Sequence, residues 1–209
     1  MKLILASDLS FLLKYGYKLT GILKDKMKIG YITTASKVAR EKTFFEDVKN
    51  KIIENGYSIY EFDIEGKSKK EIKSFFQDKN IIHLEGGNTF YLLKIIRETG
   101  FADILSELLK EGKVYIGTSA GAYVMCPTIE VANWNSDGKD RFNVNDFTAL
   151  NYVPFVLKVH YTDEKKQTMK NNLINLKYPL HILKDGQGIL VEDDQYTFLG
   201  DEEETILNI

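Results

Sequence analysis

Short apolar runs rich in β-branched residues alternate along this chain with longer amphipathic ones. That alternation builds βαβ units, and it restricts the fold to a mainly parallel sheet covered by helices. The apolar runs read as strands at 2–6, 28–33, 57–62, 80–84, 113–117 and 155–160. Segments 41–55, 69–78 and 89–109 carry apolar residues at helical spacing, and Asn55-Gly56 supplies a helix stop. Towards the end, 188–192 and 196–199 read as a hairpin across Asp193-Asp194, followed by a last strand at 205–208. The sheet is therefore expected to become mixed at that edge.

At 209 residues and 44% hydrophobic content, the chain can build one sizeable core. With three prolines and no repeat or low-complexity tract, it shows no linker, so a single domain spanning 1–209 is expected. Twenty-eight Lys and Arg against 30 Asp and Glu give a net charge of -2, and nothing calls for nucleic acid or a membrane surface as a partner. The run 2–6 is closed by polar Ser7 and Asp8 before it could form a signal-peptide core or a span. Cys126 is the only cysteine, so no internal disulfide can form, and the three histidines are too scattered for a Cys/His metal site. A reducing, cytoplasmic setting follows from this reading. The stretch 132–149, rich in Asn, Asp, Ser and Gly, reads as a long loop expected to border the functional site.

Gly117-Thr118-Ser119-Ala120-Gly121 joins an apolar strand to a helical run. Glycines on both sides of Ser119 permit the strained elbow that lifts a nucleophilic hydroxyl above the sheet, where a helix N-terminus favours negative charge. The structural alternative is a tight turn with Ser119 as helix N-cap. A second turn, Glu85-Gly86-Gly87-Asn88-Thr89-Phe90, follows the strand 80–84. Gly87 there and Ala120 just after Ser119 could each offer a backbone N–H to an oxyanion. Taken alone, this turn reads more readily as a helix start capped by Asn88 than as an oxyanion hole, and only its pairing with Ser119 raises the second reading. Gly86, Asn88 and Thr118, which flank the two donors, are the expected substrate contacts.

A serine nucleophile needs a base. His83 falls inside an apolar strand and suits a sheet-face role, and His181 follows Pro179 at the start of another apolar run. His160 closes the run 153–159 before polar Tyr161-Thr162-Asp163, which places it at a strand's carboxyl end beside the glycine turns, so it is the preferred base. For the acid that orients the base, Asp185 in the turn Asp185-Gly186 is one candidate. Glu130, Asp137, Asp140 and Asp146 are the others.

Leu84-Glu-Gly-Gly-Asn-Thr-Phe90, Tyr115-Ile-Gly-Thr-Ser-Ala-Gly-Ala122, Cys126-Pro-Thr-Ile129, Phe147-Thr-Ala-Leu150 and the pair His160-Tyr161 together resemble peptidase family S51. That family includes aspartyl dipeptidase (peptidase E) and the more distant cyanophycinases. The resemblance runs over nearly the whole chain. It implies a three-layer αβα sandwich like that of class I glutamine amidotransferases, Ser119 as nucleophile, His160 as base, and Gly87 and Ala120 as oxyanion donors. It also favours Asp185 as the third member, giving the chain order Ser, His, Asp. No metal or organic cofactor is implied. The chain departs from the aspartyl dipeptidases where they carry a Thr-Asn-Asp run, which here reads Val131-Ala132-Asn133-Trp134, and Lys165 and Lys166 match their arginines only loosely.

The expected function is a serine peptidase hydrolysing short peptides, with dipeptides bearing N-terminal Asp among the candidates, through an acyl-enzyme on Ser119. The alternatives are an esterase or amidase acting on a small non-peptide substrate, and a non-catalytic binding protein of the same fold. The partner expected is a short peptide or other small amide, and a homodimer is compatible with the sequence.

Overall fold

The computed structural model describes residues 1–39, 41–134, 141–165, 169, 172, 173, 176–193, 195–201 and 205–207. Among the described residues ten strands are present: β1 (Lys2–Ala6), β2 (Ile29–Ile32), β3 (Ile59–Phe62), β4 (Ile81–Leu84), β5 (Val114–Thr118), β6 (Val156–Lys158), β7 (Leu180–Ile182), β8 (Gly188–Glu192), β9 (Gln195–Leu199) and β10 (Thr205–Leu207). Seven of them form one sheet in the order β3-β2-β4-β5-β1-β8-β9. The strands from β3 to β1 run parallel, whereas β8 and β9 run antiparallel, so the expected mixed edge is present. β6 does not join this sheet as its sequence suggested. It pairs in parallel with β7, which the sequence shows only as the apolar run after Pro179, and antiparallel β10 completes a separate three-stranded sheet.

Helices cover both faces of the large sheet. Alternate residues of β1 show why, since side chains two apart share a face. Leu3 and Leu5 belong to one buried cluster and Ile4 and Ala6 to the other. The first cluster takes in α4 (Lys69–Phe76), α5 (Thr89–Thr99), α6 (Phe101–Lys110) and α7 (Ala120–Tyr123). The second takes in the short helices α1 (Leu9–Phe11) and α2 (Tyr17–Leu19), joined by a wider helical turn at Leu12–Gly16, and α3 (Lys42–Glu54). The α1–α2 segment has no counterpart in the sequence reading. The single helix expected over 89–109 is two helices, because Gly100 adopts the left-handed conformation (φ 67°) that ends α5 before α6 begins. Among the described residues no helix is long and apolar enough to cross a membrane.

Register gathers the functional candidates at one edge. Leu84 pairs beside Gly117, and Ala6 beside Thr118, so the carboxyl ends of β4, β5 and β1 are level. β8 is antiparallel, and its first residue, Gly188, pairs with Ala6, so the turn that precedes β8 emerges at the same edge. In the small sheet, β6 and β7 run parallel, and Tyr161 donates its N–H to the Leu183 carbonyl at 3.1 Å. The segments following both strands are thereby brought side by side.

Candidate active site

Ser119 sits at the junction of β5 and α7 with φ 51° and ψ -103°, outside the broad regions open to L-residues. Its N–H donates to the Ala6 carbonyl at 3.0 Å, which pins the elbow to β1. The flanking glycines are required by close approach. A Cβ at Gly121 would lie 2.2 Å from the Leu84 oxygen, and one at Gly117 would lie 2.4 Å from the Gly121 oxygen. Ser119 is thereby held above β4 and β5 with its hydroxyl directed at His160.

The Ser119 hydroxyl is 3.0 Å from His160 Nε2, and His160 Nδ1 is 2.6 Å from Asp185 Oδ1. An ionised carboxylate can only accept, so Nδ1 carries the proton and Nε2 is left to accept from Ser119. His160 also has a positive φ, 52°. Asp185 is unlike a deeply buried orienting acid: its side chain is 62% exposed and that of His160 42%. The structure thus joins Ser119, His160 and Asp185 in one hydrogen-bonded chain.

Two further residues in the same network were read from sequence only as the end of an apolar run. Ser7 Oγ donates to Asp185 Oδ1 at 3.1 Å and accepts from the His160 N–H at 3.0 Å. Asp8 accepts from the Gly186 N–H at 2.8 Å and from Phe11 N–H at 3.4 Å, capping α1. Their position immediately after β1, the strand beside the elbow, was the available signal.

The second glycine turn lies against the elbow. A Cβ built on Gly86 would come 3.4 Å from Ser119 Cβ. Gly87 has φ 137°, and any side chain there would strike the Ala35 carbonyl at 2.3 Å. Among the described residues no protein group accepts from the N–H of Gly87 or of Ala120. Asn88 accepts from the Tyr91 N–H at 2.9 Å and so caps α5. Thr118 Oγ1 is 2.9 Å from His83 Nε2.

These residues open onto a cavity of about 620 Å³ between α1 and α3, with Ser119, Gly86, Gly87 and Thr118 in its wall. Asn88 is not part of that wall, and neither is any described residue of the 132–149 segment expected to border the site. Instead Phe142 packs on Tyr91 and Phe147 on Phe90, both on α5. The other two histidines are buried. His83 lies under the cavity, where burial lowers its pKa to about 3 and keeps it neutral. His181 is enclosed by the rings of Phe155 and Tyr196. Of the rival acids, Asp146 accepts from Arg97 and Thr148, and neither it nor Glu130 reaches the cavity. Asp137 and Asp140 lie outside the described residues, as does Lys166. Cys126 is buried, and desolvation pushes its thiol up to about 12.

The family model described as peptidase family S51 matches residues 10–199. An uncharacterized peptidase of Pasteurella multocida is 33% identical over 196 residues, covering 92% of this chain and 94% of that protein. Peptidase E of Nostoc sp. is 26% identical over 185 residues, covering 84% of this chain and 73% of its own. A crystal structure of a peptidase E-type protein from Listeria monocytogenes superposes with a TM-score of 0.82 at 27% identity, covering 96% of this chain and 98% of the other.

Proposed function

The chain belongs to peptidase family S51 and is a peptidase, and from that premise we propose that it hydrolyses short peptides as a serine enzyme, through an acyl-enzyme on Ser119. The observation that carries this reading is the unbroken line from Ser119 Oγ through the two ring nitrogens of His160 to Asp185.

In that mechanism His160 Nε2 takes the hydroxyl proton as Ser119 Oγ bonds to the amide carbon. The carbonyl oxygen gains negative charge and is held by the N–H groups of Gly87 and Ala120, with the start of α7 adding its dipole. Asp185 holds the proton on Nδ1 and stabilises the imidazolium while it exists. The C–N bond then breaks, Nε2 gives its proton to the departing amine, and an ester to Ser119 is left. Water, deprotonated by the same nitrogen, attacks that ester and releases the acid and the free serine. Gly86 and Thr118 line the cavity beside Ser119, which supports assigning them to substrate contact.

The test is to expose the protein to a fluorophosphonate and to panels of dipeptides with Asp, Glu or neutral N-terminal residues, alongside small esters. Mass spectrometry should find the label on Ser119, and the panel should show cleavage of at least one peptide class. An inert Ser119, or turnover confined to esters, would refute the peptidase mechanism.

A further inference from the structure

Beside Ser119 the cavity wall holds a carboxyl that the mechanism does not use. Glu85 immediately follows β4 and precedes Gly86, and it is 2% exposed. Its Oε1 accepts from the Tyr31 hydroxyl at 2.7 Å, and its Oε2 is buried without a donor among the described residues. Ser36 lies near the same carboxyl, but its hydroxyl is committed to the Thr33 carbonyl at 2.8 Å.

Among the described residues no cation hydrogen-bonds Glu85. Lys49, whose charge Glu85 feels, already bonds Glu46 at 2.8 Å and Glu61 at 2.7 Å. That corner of the fold therefore holds three carboxylates around one ammonium. His83, in the cavity wall two residues earlier on the same strand face, is neutral and occupied by Thr118 Oγ1 at 2.9 Å and the Tyr17 hydroxyl at 3.4 Å. Lys51 also lines the cavity, but from the exposed side of α3.

A buried acceptor left unmade is costly, and a carboxylate is satisfied best by a charged donor. Because Oε2 is closed off from bulk solvent, the donor that reaches it has to come through the cavity that holds Ser119. Resting on the serine-peptidase reading, we infer that Glu85 is a specificity-determining residue that holds an ammonium group on the acyl half of the substrate. The ammonium can be the free α-amine of an N-terminal residue or the side-chain amine of a lysine-type residue; the chemistry at Glu85 is the same. The raised pKa of Glu85, about 7 through burial, agrees with a carboxyl whose charged partner arrives with the substrate. The role assigned is recognition: no proton of the reaction passes through Glu85.

Binding to the Ser119→Ala chain tests this without requiring turnover. The probes are Ala-Ala, N-acetyl-Ala-Ala, Lys-Ala, Nα-acetyl-Lys-Ala and Nα-acetyl-norleucyl-Ala, titrated calorimetrically with and without Glu85→Gln. Glu85→Gln should weaken the ammonium-bearing probes by at least about tenfold and leave the two cation-free probes unchanged. If Ala-Ala loses that factor the α-amine is the group held; if only the lysine probes lose it, the side chain is. Should the Gln variant fail to fold, the same tenfold preference for Ala-Ala over N-acetyl-Ala-Ala, or for Nα-acetyl-Lys-Ala over its norleucine counterpart, decides in the Ser119→Ala chain alone. Equal affinities within both pairs, equal losses for all probes, or no binding of any ammonium-bearing probe would overturn the assignment. Amine-dependent binding in a chain whose Ser119 proves unreactive would instead overturn the serine mechanism and leave Glu85 in place.

Discussion

Ser7 and Asp185, 178 positions apart, meet through a 3.1 Å hydrogen bond to the same carboxylate oxygen that accepts from His160. Since Ser7 Oγ also accepts from the His160 backbone at 3.0 Å, one hydroxyl ties together His160 and Asp185, the proposed base and its orienting acid. Ser7→Ala should lower kcat about tenfold with little change in KM, the cost of one charge-assisted hydrogen bond. Ser7→Thr, which keeps the hydroxyl, should recover most of the rate. Steady-state kinetics on a cleaved dipeptide check this, and a Ser7→Ala enzyme with parental kcat would show that the histidine is oriented without it.

The proposed nucleophile, Ser119, and the thiol of Cys126 differ in burial. Ser119→Ala should abolish turnover and fluorophosphonate labelling. Cys126→Ala should keep both, because the thiol is fully buried and pushed up to about 12, away from the reactive thiolate form. The cysteine variant should lose stability on the order of 1 kcal/mol from the small void it leaves. Loss of labelling in a folded Cys126→Ala protein would place the reactive group elsewhere.

For the third member of the network, Asp185→Asn keeps the shape and removes the charge that fixes the His160 tautomer. Replacing a buried orienting aspartate in this way costs about 10⁴ in turnover. Asp185 is 62% exposed, so water can partly replace it and the expected loss is smaller, at least about a hundredfold. Asp146→Asn and Glu130→Gln should stay near parental rates, since neither reaches the cavity. Comparing the three variants on one substrate distinguishes the assignments, and a collapse confined to Asp146→Asn or Glu130→Gln would transfer the role.

What could be read in advance follows from where each signal lies. Ser119 and Gly87 are legible because glycine spacing records backbone demands directly: a Cβ at Gly121 or Gly87 would collide with neighbouring main chain. His160 is legible because an apolar run ends at it. Ser7 and Asp8 are not, since two polar residues after a strand look like any loop, and only the antiparallel pairing of β8 with β1 brings Asp185 and Gly186 to them. Similarly, β7 is three residues long, too short to show alternation, and its pairing with β6 is a long-range choice that local propensity does not encode. Glu85 lies inside the second glycine turn, yet its neighbours there give no hint that it is buried with the Tyr31 hydroxyl donating to it.

Glu85 and His83 should leave opposite marks on stability as pH changes. Burial raises the Glu85 pKa from 4.5 to about 7, against the lowering effect of the Ser36 and Tyr31 hydroxyls, so the folded chain binds a proton there that the unfolded chain has lost. The resulting stabilisation is complete below pH 4.5 and disappears as pH rises towards 7. His83 works the other way. Its pKa falls from 6.5 to about 3 on burial, so between those values the unfolded chain binds the extra proton and stability rises with pH. Each group contributes a slope of up to about 1.4 kcal/mol per pH unit, and between about pH 5 and 6 the two nearly cancel. Glu85→Gln removes one of them and leaves every other titration in place. The stability of the variant minus that of the parent should therefore climb with pH through the range from about 4.5 to 7, by a total on the order of 3 kcal/mol at most, and level off above it. Urea denaturation of both proteins at half-unit pH steps measures that difference directly. Parallel curves across the whole range would mean that Glu85 ionises in the folded chain as readily as in the unfolded one, and that its environment is not the desolvated one argued above.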